Sequence, residues 1–344
     1  MGILTGPPAV PGAWWQHTPS RAPPIIRAGQ TTTSGRPEAT QSQPEGAFSD
    51  YGHFVAKNTI PSSLSSWFLP PALPQVPDDS LAVVTGASSG IGKAVAARFA
   101  ASGFRVVGTT RNPATLTDPL PNVEYVALDL ADPTSIETFA EEVLALGVPS
   151  VLVNNAGESQ NGPLEELPRD ALERLFQVNV IGHVELTQKF LPAMREQSFG
   201  RIIMIGSMLG SLPLSYRGSY VASKAAIRSF ADSARSELSP FGIGISTVEP
   251  GAIATGLSSR RTIYVDDAGP YSRDFYRMLD TLNDNEAKGI SAEDVAELVG
   301  AVVAETRPRA VYARGSLAPV PYILQRLLPR ETMLRIMRAK HGLS

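Results

Sequence analysis

Residues 81–92 read LAVVTGASSGIG, a short apolar run that leads into a turn with three glycines. Residues 93–102 then show helical periodicity, so the segment predicts a strand, a tight turn and a helix. In such a turn Gly86 allows a sharp bend, Gly90 lets the backbone approach a pyrophosphate, and Gly92 lets the helix pack closely on the sheet. The amides at the helix N-terminus then face the anion. The segment therefore predicts a dinucleotide-binding unit.

The rest of the chain continues this alternation of strands and helices. We expect strands at 81–84, 105–109, 123–130, 151–153, 201–205, 243–248 and 310–312. We expect helices at 93–102, 133–146, 168–197 and 217–239, and another that begins at the capping pattern of Ser291 and Asp294. Apolar strands that alternate with helices indicate a parallel sheet covered on both faces. The prediction is a single doubly wound α/β Rossmann domain of about seven strands over residues 79–318.

Two segments of different composition flank this domain. Residues 1–78 hold 13 of the 29 prolines and predict a mostly disordered extension. Its arginines precede its first acidic residue, Glu38, a composition that faintly resembles an organelle targeting segment. A native start further downstream is the alternative. Residues 319–344 form a basic amphipathic tail, expected to pack on the domain or a second copy, with membrane-surface contact as the alternative.

Composition excludes several classes of function. A net charge of −3 gives no electrostatic basis for binding nucleic acid. The absence of cysteine excludes disulfides, thiol nucleophiles and thiolate metal sites, and the four histidines lack metal-ligand spacing, so we expect no metal. No apolar run reaches the roughly 18 residues that a membrane span needs. The N-terminus lacks a secretory signal, so a cytoplasmic protein is expected.

Tyr220 and Lys224 are four residues apart in a predicted helix and therefore share one face. An ammonium near a phenol favours the ionised phenol, which suits a proton donor to a carbonyl. This spacing alone is common on ordinary helices. It gains weight from the motifs that precede it, namely the glycine turn, Asn154–Gly157, Asn179 and Ser207.

In order and separation, Thr85–Gly92, Asn154–Gly157, Ser207, Tyr220–Lys224 and Pro250–Gly251 resemble the short-chain dehydrogenase/reductase family. The resemblance covers about residues 80–255 and is expected to extend to 315. It implies hydride transfer between a nicotinamide cofactor and a carbonyl or alcohol. It also implies roles for four catalytic residues: Ser207 holds the substrate oxygen, Tyr220 exchanges its proton, Lys224 binds the ribose and supports the phenolate, and Asn179 steadies a proton relay at a helix irregularity.

The resemblance implies an extended cofactor site. Its expected residues are Gly86, Ser88, Ser89, Gly90, Ile91, Gly92, Arg111, Asp129, Leu130, Asn155, Ala156, Gly157, Tyr220, Lys224, Pro250, Gly251, Ile253 and Thr255. The second strand ends in Thr109–Arg111 without the acid that would bind the ribose of NAD, so we expect NADP(H). An ordinary surface role for Arg111, and a turn-capping role for Asp129 in place of an adenine contact, stay open.

The sequence carries a weaker signal for the substrate-binding residues than for the cofactor-binding residues. Residues 256–290 predict an aromatic-rich lid, and Met208, Leu209 and Tyr264 are expected to contact substrate together with Ser207 and Tyr220, although core packing is an equal alternative. The expected function is NADPH-dependent interconversion of ketones or aldehydes and alcohols on an apolar steroid, retinoid or acyl-chain-like substrate. The alternatives are a 3-oxoacyl thioester reductase and a non-catalytic NADP(H)-binding protein. Long flanking helices favour a homodimer or homotetramer.

Overall fold

The structure, a computed structural model, describes residues 72–77, 79–254 and 260–343. The disorder predicted for residues 1–71 and the cofactor contact predicted for Thr255 therefore lie outside the described residues. The described end of the extension packs on the domain, since Leu73 is buried and its amide donates to the Thr306 carbonyl at 2.7 Å. The folded part thus begins several residues before the predicted boundary at 79.

Seven parallel strands form the central sheet in the order β3-β2-β1-β4-β6-β7-β9. They are β1 (Leu81–Val84), β2 (Arg105–Thr110), β3 (Val123–Ala127), β4 (Val151–Asn154), β6 (Gly200–Ile205), β7 (Ile243–Pro250) and β9 (Val311–Arg314). Two short strands, β5 (Gln160–Asn161) and β8 (Thr262–Ile263), pair separately. Strand order reverses between β1 and β4, which leaves a crevice at their carboxyl ends. The predicted doubly wound fold is confirmed.

Ten helices accompany the strands within the described part of the chain. They are α1 (Gly90–Ala101), α2 (Pro133–Leu146), α3 (Arg169–Phe176), α4 (Gly182–Glu196), α5 (Met208–Ser211), α6 (Gly218–Leu238), α7 (Ser272–Ala287), α8 (Ala292–Ala304), α9 (Val320–Leu327) and α10 (Arg330–Lys340). The helix predicted over 168–197 forms as one continuous helical segment, in which a π-helical turn at Gln177–Ile181 lies between α3 and α4. One wide turn leaves the helical periodicity of the sequence almost unchanged.

The core has two layers, one on each face of the sheet. Leu81 and Val83 pack with α2, α4 and α6, whereas Ala82 and Val84 pack with α1 and α8. This division follows from the two-residue period of a strand. The predicted capping pattern also forms: Asp294 N donates to Ser291 Oγ and Ser291 N donates to the Asp294 carboxylate, both at 3.0 Å.

Among the described residues, no helix combines the length and apolarity that a membrane crossing requires. The same part of the chain holds no cluster of three or more acidic, histidine or cysteine side chains arranged to bind a metal ion.

Candidate active site

The carboxyl ends of β1, β4, β6 and β7 border a cavity of about 680 Å³. Most of the predicted cofactor residues line it: Gly86, Ser88, Ser89, Gly90, Ile91, Arg111, Asp129, Leu130, Asn155, Ala156, Gly157, Tyr220, Lys224, Pro250, Gly251 and Ile253. Gly92 does not line it but lies beneath α1, where a Cβ atom would come within 2.3 Å of the Gly86 carbonyl oxygen. Its role is therefore close helix packing.

The glycine turn presents backbone to the cavity. Gly86 and Gly90 have φ of 68° and 55°, in the left-handed region that glycine adopts without strain. Thr85 Oγ1 braces the turn, since it accepts from Asn155 N at 2.8 Å and Ala156 N at 3.0 Å. Helix α1 starts at the cavity with no side-chain cap and no acid in its first turn. Its N-terminal amides are thus free to receive an anion.

The far end of the cavity lies beside β2 and β3. Arg111 follows β2, lines the cavity and makes no ion pair with another described residue. Asp129 lines the cavity too, while its Oδ1 accepts from Ala131 N at 2.9 Å. Asp129 therefore caps the turn and at the same time lines the cavity.

Behind the cavity, His183 joins α4 to β4. Its Nδ1 lies 3.1 Å from Asn154 Oδ1 and its Nε2 lies 2.7 Å from the Ala156 carbonyl oxygen. Asn154 Nδ2 also donates to Thr187 Oγ1 at 2.9 Å, so Asn154 ties these elements together. Burial lowers the pKa of His183 to about 4, which keeps its ring neutral at physiological pH.

Ser207, Tyr220 and Lys224 line the middle of the cavity and are all buried. Ser207 caps α5, and its Oγ accepts from Leu209 N at 3.2 Å, which leaves its own proton available to a ligand. Lys224 donates from Nζ to the Ile205 carbonyl at 2.9 Å. Burial lowers the pKa of Lys224, and the electrostatic effect of Tyr220 opposes that shift.

Asn179 lies in the π-helical turn, next to the cavity rather than in its wall. Its Oδ1 accepts from Glu158 N at 2.8 Å, and its Nδ2 donates to Ser223 Oγ at 3.1 Å. A Cβ atom on Gly157 would lie 3.0 Å from Asn179 Oδ1 and 3.9 Å from Lys224 Nζ. Asn179 and Lys224 are therefore neighbours across Gly157, where a side chain would crowd Asn179.

Arg217 is a cavity residue that the sequence analysis missed. Its guanidinium carbon lies 4.2 Å from the centroid of the Tyr220 ring, and its Nη2 donates to Ser159 Oγ at 3.0 Å. The residue is 3% exposed, and its Nε has no hydrogen-bond partner among the described residues. Burial lowers its pKa, and Tyr220 opposes this shift. The spacing of three between Arg217 and Tyr220 was the available signal.

The substrate side agrees in part with the predicted lid. Met208 and Leu209 line the cavity as expected, but Tyr264 does not; its amide donates to the Asn161 carbonyl beside β5. Of the predicted lid residues, Phe275, Met278 and Leu279 pack in a core cluster with Leu214 and Leu343, which is the core-packing alternative. Other residues of the predicted lid do line the cavity, among them Leu282, Glu286 and Ile290. The C-terminal tail adds further wall through Leu317, Val320, Leu324, Met333, Ile336 and Met337.

Known proteins share this architecture. A family model described as short chain dehydrogenase matches residues 80–263. Dehydrogenase/reductase SDR family member 7B of Xenopus laevis is 32% identical over 76% of this chain and 81% of its own length. The crystal structure of a short-chain dehydrogenase from Streptomyces avermitilis is 30% identical, with a TM-score of 0.65 over 76% of this chain and 96% of that one.

A metagenomic short-chain oxidoreductase, solved in complex with NADP, is 28% identical, with a TM-score of 0.55 over 69% of this chain and 97% of that one. The family model spans six of the seven strands of the sheet, together with the glycine turn, Ser207, Tyr220 and Lys224. The chain therefore belongs to the short-chain dehydrogenase family, oxidoreductases that interconvert CH–OH and C=O groups.

Proposed function

We propose that this protein is an NADPH-dependent oxidoreductase that interconverts an apolar ketone or aldehyde and its alcohol. The observation that carries the proposal is the shared cavity of Ser207, Tyr220 and Lys224, with Arg111 at its far end. One extended ligand in this cavity would contact the proton donor Tyr220, its charged partner Lys224, and Arg111, the cation that would bind a phosphate.

The residues present fit a dinucleotide. The uncapped amides of α1 would bind the diphosphate, because the turn before them offers backbone without side-chain obstruction at Gly86 and Gly90. Gly157 leaves room for the nicotinamide half, beside Lys224. When bound, the cofactor supplies the hydride that is added to the carbonyl carbon.

The side chains of this protein would manage the proton. Ser207 donates its hydroxyl hydrogen to the carbonyl oxygen, because its Oγ acts as an acceptor toward Leu209 N and keeps its hydrogen for a ligand. Tyr220 then transfers its phenolic proton to that oxygen as the alcohol forms, and it takes the proton back in alcohol oxidation. The cationic side chain of Lys224 stabilises the phenolate that Tyr220 becomes. No metal is needed for this balance of one hydride and one proton.

Arg111 would select NADPH over NADH. A guanidinium binds a 2′-phosphate through charge-assisted hydrogen bonds, and no acid at the end of β2 opposes it. We expect Arg111→Ala to raise the KM for NADPH by roughly 10- to 100-fold, the equivalent of one lost charged contact, and to leave the KM for NADH nearly unchanged. Steady-state kinetics with both cofactors measures this. Equal increases for the two would remove Arg111 from phosphate recognition.

The substrate class is tested by NADPH absorbance with a panel of ketones, aldehydes and 3-oxoacyl thioesters. The apolar wall formed by Met208, Leu209, Leu212, Leu324 and Met337 favours apolar ketones, with kcat/KM rising as apolar area is added. Faster turnover of the thioesters would support the thioester reductase alternative. NADPH binding without turnover of any compound would contradict the proposed reaction.

A further inference from the structure

Helix α9 carries four apolar side chains on its outer face. Val320, Ile323, Leu324 and Leu327 are 50%, 51%, 36% and 74% exposed, and the helix has no buried residue. Their spacing of three, four and seven positions places them in one line along the helix, which we name the apolar stripe. Contiguous exposed apolar surface is a common feature of interaction sites.

The inner face of α9 is held by polar contacts. Tyr322 donates its hydroxyl hydrogen to the buried carboxylate of Glu249, and Gln325 Nε2 donates to the Ser211 carbonyl at 2.8 Å. An ordinary surface helix turns its apolar side inward and its polar side to water. Helix α9 instead turns these polar side chains inward, and the anchors leave the apolar stripe exposed on its outer side and at the cavity.

The apolar stripe adjoins the cavity. Val320 and Leu324 belong to the stripe and also line the cavity, as do the exposed Leu317 and Ile336. Apolar surface is therefore continuous from the outside of the molecule to the chamber that contains Tyr220. An apolar substrate could follow this surface without leaving an apolar environment.

Charge decides between the candidates for what covers the stripe. Residues 320–343 contain five basic side chains (Arg326, Arg330, Arg335, Arg338 and Lys340) and one acidic side chain (Glu331). That segment is thus net positive by four in a chain whose net charge is −3. A second copy docked by two-fold symmetry would place two such cationic segments together, which is unfavourable. Anionic lipid headgroups complement the same charges.

We propose that the apolar stripe docks on an anionic lipid surface and opens the cavity to substrates dissolved in lipid. The docking stands on the geometry and charge of α9 and α10 alone. The entry of substrate from lipid rests in addition on the proposed function.

Flotation of the full-length protein with phosphatidylcholine vesicles, with and without phosphatidylserine, tests the docking. We expect binding to the anionic vesicles, weakened by added salt. Leu327→Glu should weaken binding by about tenfold or more, because it removes one buried leucine and adds a charge. Leu164→Glu is the matched control, since Leu164 is 85% exposed and neither leucine lines the cavity. The control should bind like the wild type.

Equal binding of Leu327→Glu and wild type, or no binding to either vesicle, would overturn the proposal. A change in oligomeric state of Leu327→Glu by light scattering, without a change in vesicle binding, would assign the stripe to a second copy. Turnover of a water-soluble ketone by Leu327→Glu should match the wild type. Absence of turnover in both proteins, with docking intact, would refute the proposed function and leave the docking standing.

Discussion

At the scale of single residues, Arg217 gives the Tyr220 ring a second cation beside Lys224. The guanidinium lies over the ring face and holds the phenol in the orientation in which its hydroxyl can reach a substrate oxygen. We expect Arg217→Met to lower kcat for alcohol oxidation by about tenfold and to leave the KM for NADP nearly unchanged. Arg217→Lys should restore part of kcat. Steady-state kinetics with alcohol and cofactor varied in turn measures both variants.

Other charges act on this pair and stay constant between the variants. Lys224 interacts with Tyr220, whereas Arg261, Glu286 and His341 interact electrostatically with Arg217. A lower unfolding temperature for Arg217→Met with an unchanged kcat would assign Arg217 a purely structural role, through its bond to Ser159. Comparison of kcat with the unfolding temperature therefore separates positioning of the proton donor from support of the fold.

At the scale of elements, the contact that His183 makes between α4 and β4 should make the stability of the fold depend on pH. The pKa of His183 is lowered to about 4 by burial, whereas an unfolded histidine titrates near 6.5. The unfolded chain therefore binds a proton more readily than the native state as pH falls from about 6.5 to 4. The contribution of His183 to stability is complete above that window and decreases through it, by on the order of 3 kcal/mol.

Urea unfolding of the wild type and His183→Gln at a series of pH values measures this dependence. We expect the free energy of unfolding of the wild type to fall more steeply between pH 6.5 and 4 than that of the variant. Parallel curves would show that another group controls the acid transition.

The π-helical turn that contains Asn179 is a feature that the sequence pattern alone did not predict. The segment at 168–197 keeps helical periodicity through the π-helical turn, so one extra residue at Gln177–Ile181 does not show in the pattern. That turn holds Asn179 against Glu158, a contact between segments 21 residues apart. Only the family resemblance pointed to Asn179 and to an irregularity in the helix at that position.

At the scale of the whole molecule, the sheet and the cofactor half of the cavity were predictable because each strand and turn carries a local signal. The far wall was not predictable, because it forms when the C-terminal tail folds back. Met333 packs on Met208 and Leu212, more than 100 residues earlier in the chain. An amphipathic pattern shows that one face is apolar but does not show what covers it. The contact of Arg217 with Ser159, 58 residues earlier in the chain, was not predictable for the same reason.

The most direct test of the account combines NADPH binding and turnover in Tyr220→Phe. This substitution removes the phenolic proton and keeps the ring that packs against Arg217. With an apolar ketone that the wild type reduces, we predict a loss in kcat of about 10²- to 10⁴-fold and an unchanged dissociation constant for NADPH by fluorescence titration. Turnover by Tyr220→Phe close to that of the wild type would contradict the assignment of Tyr220 as the proton donor.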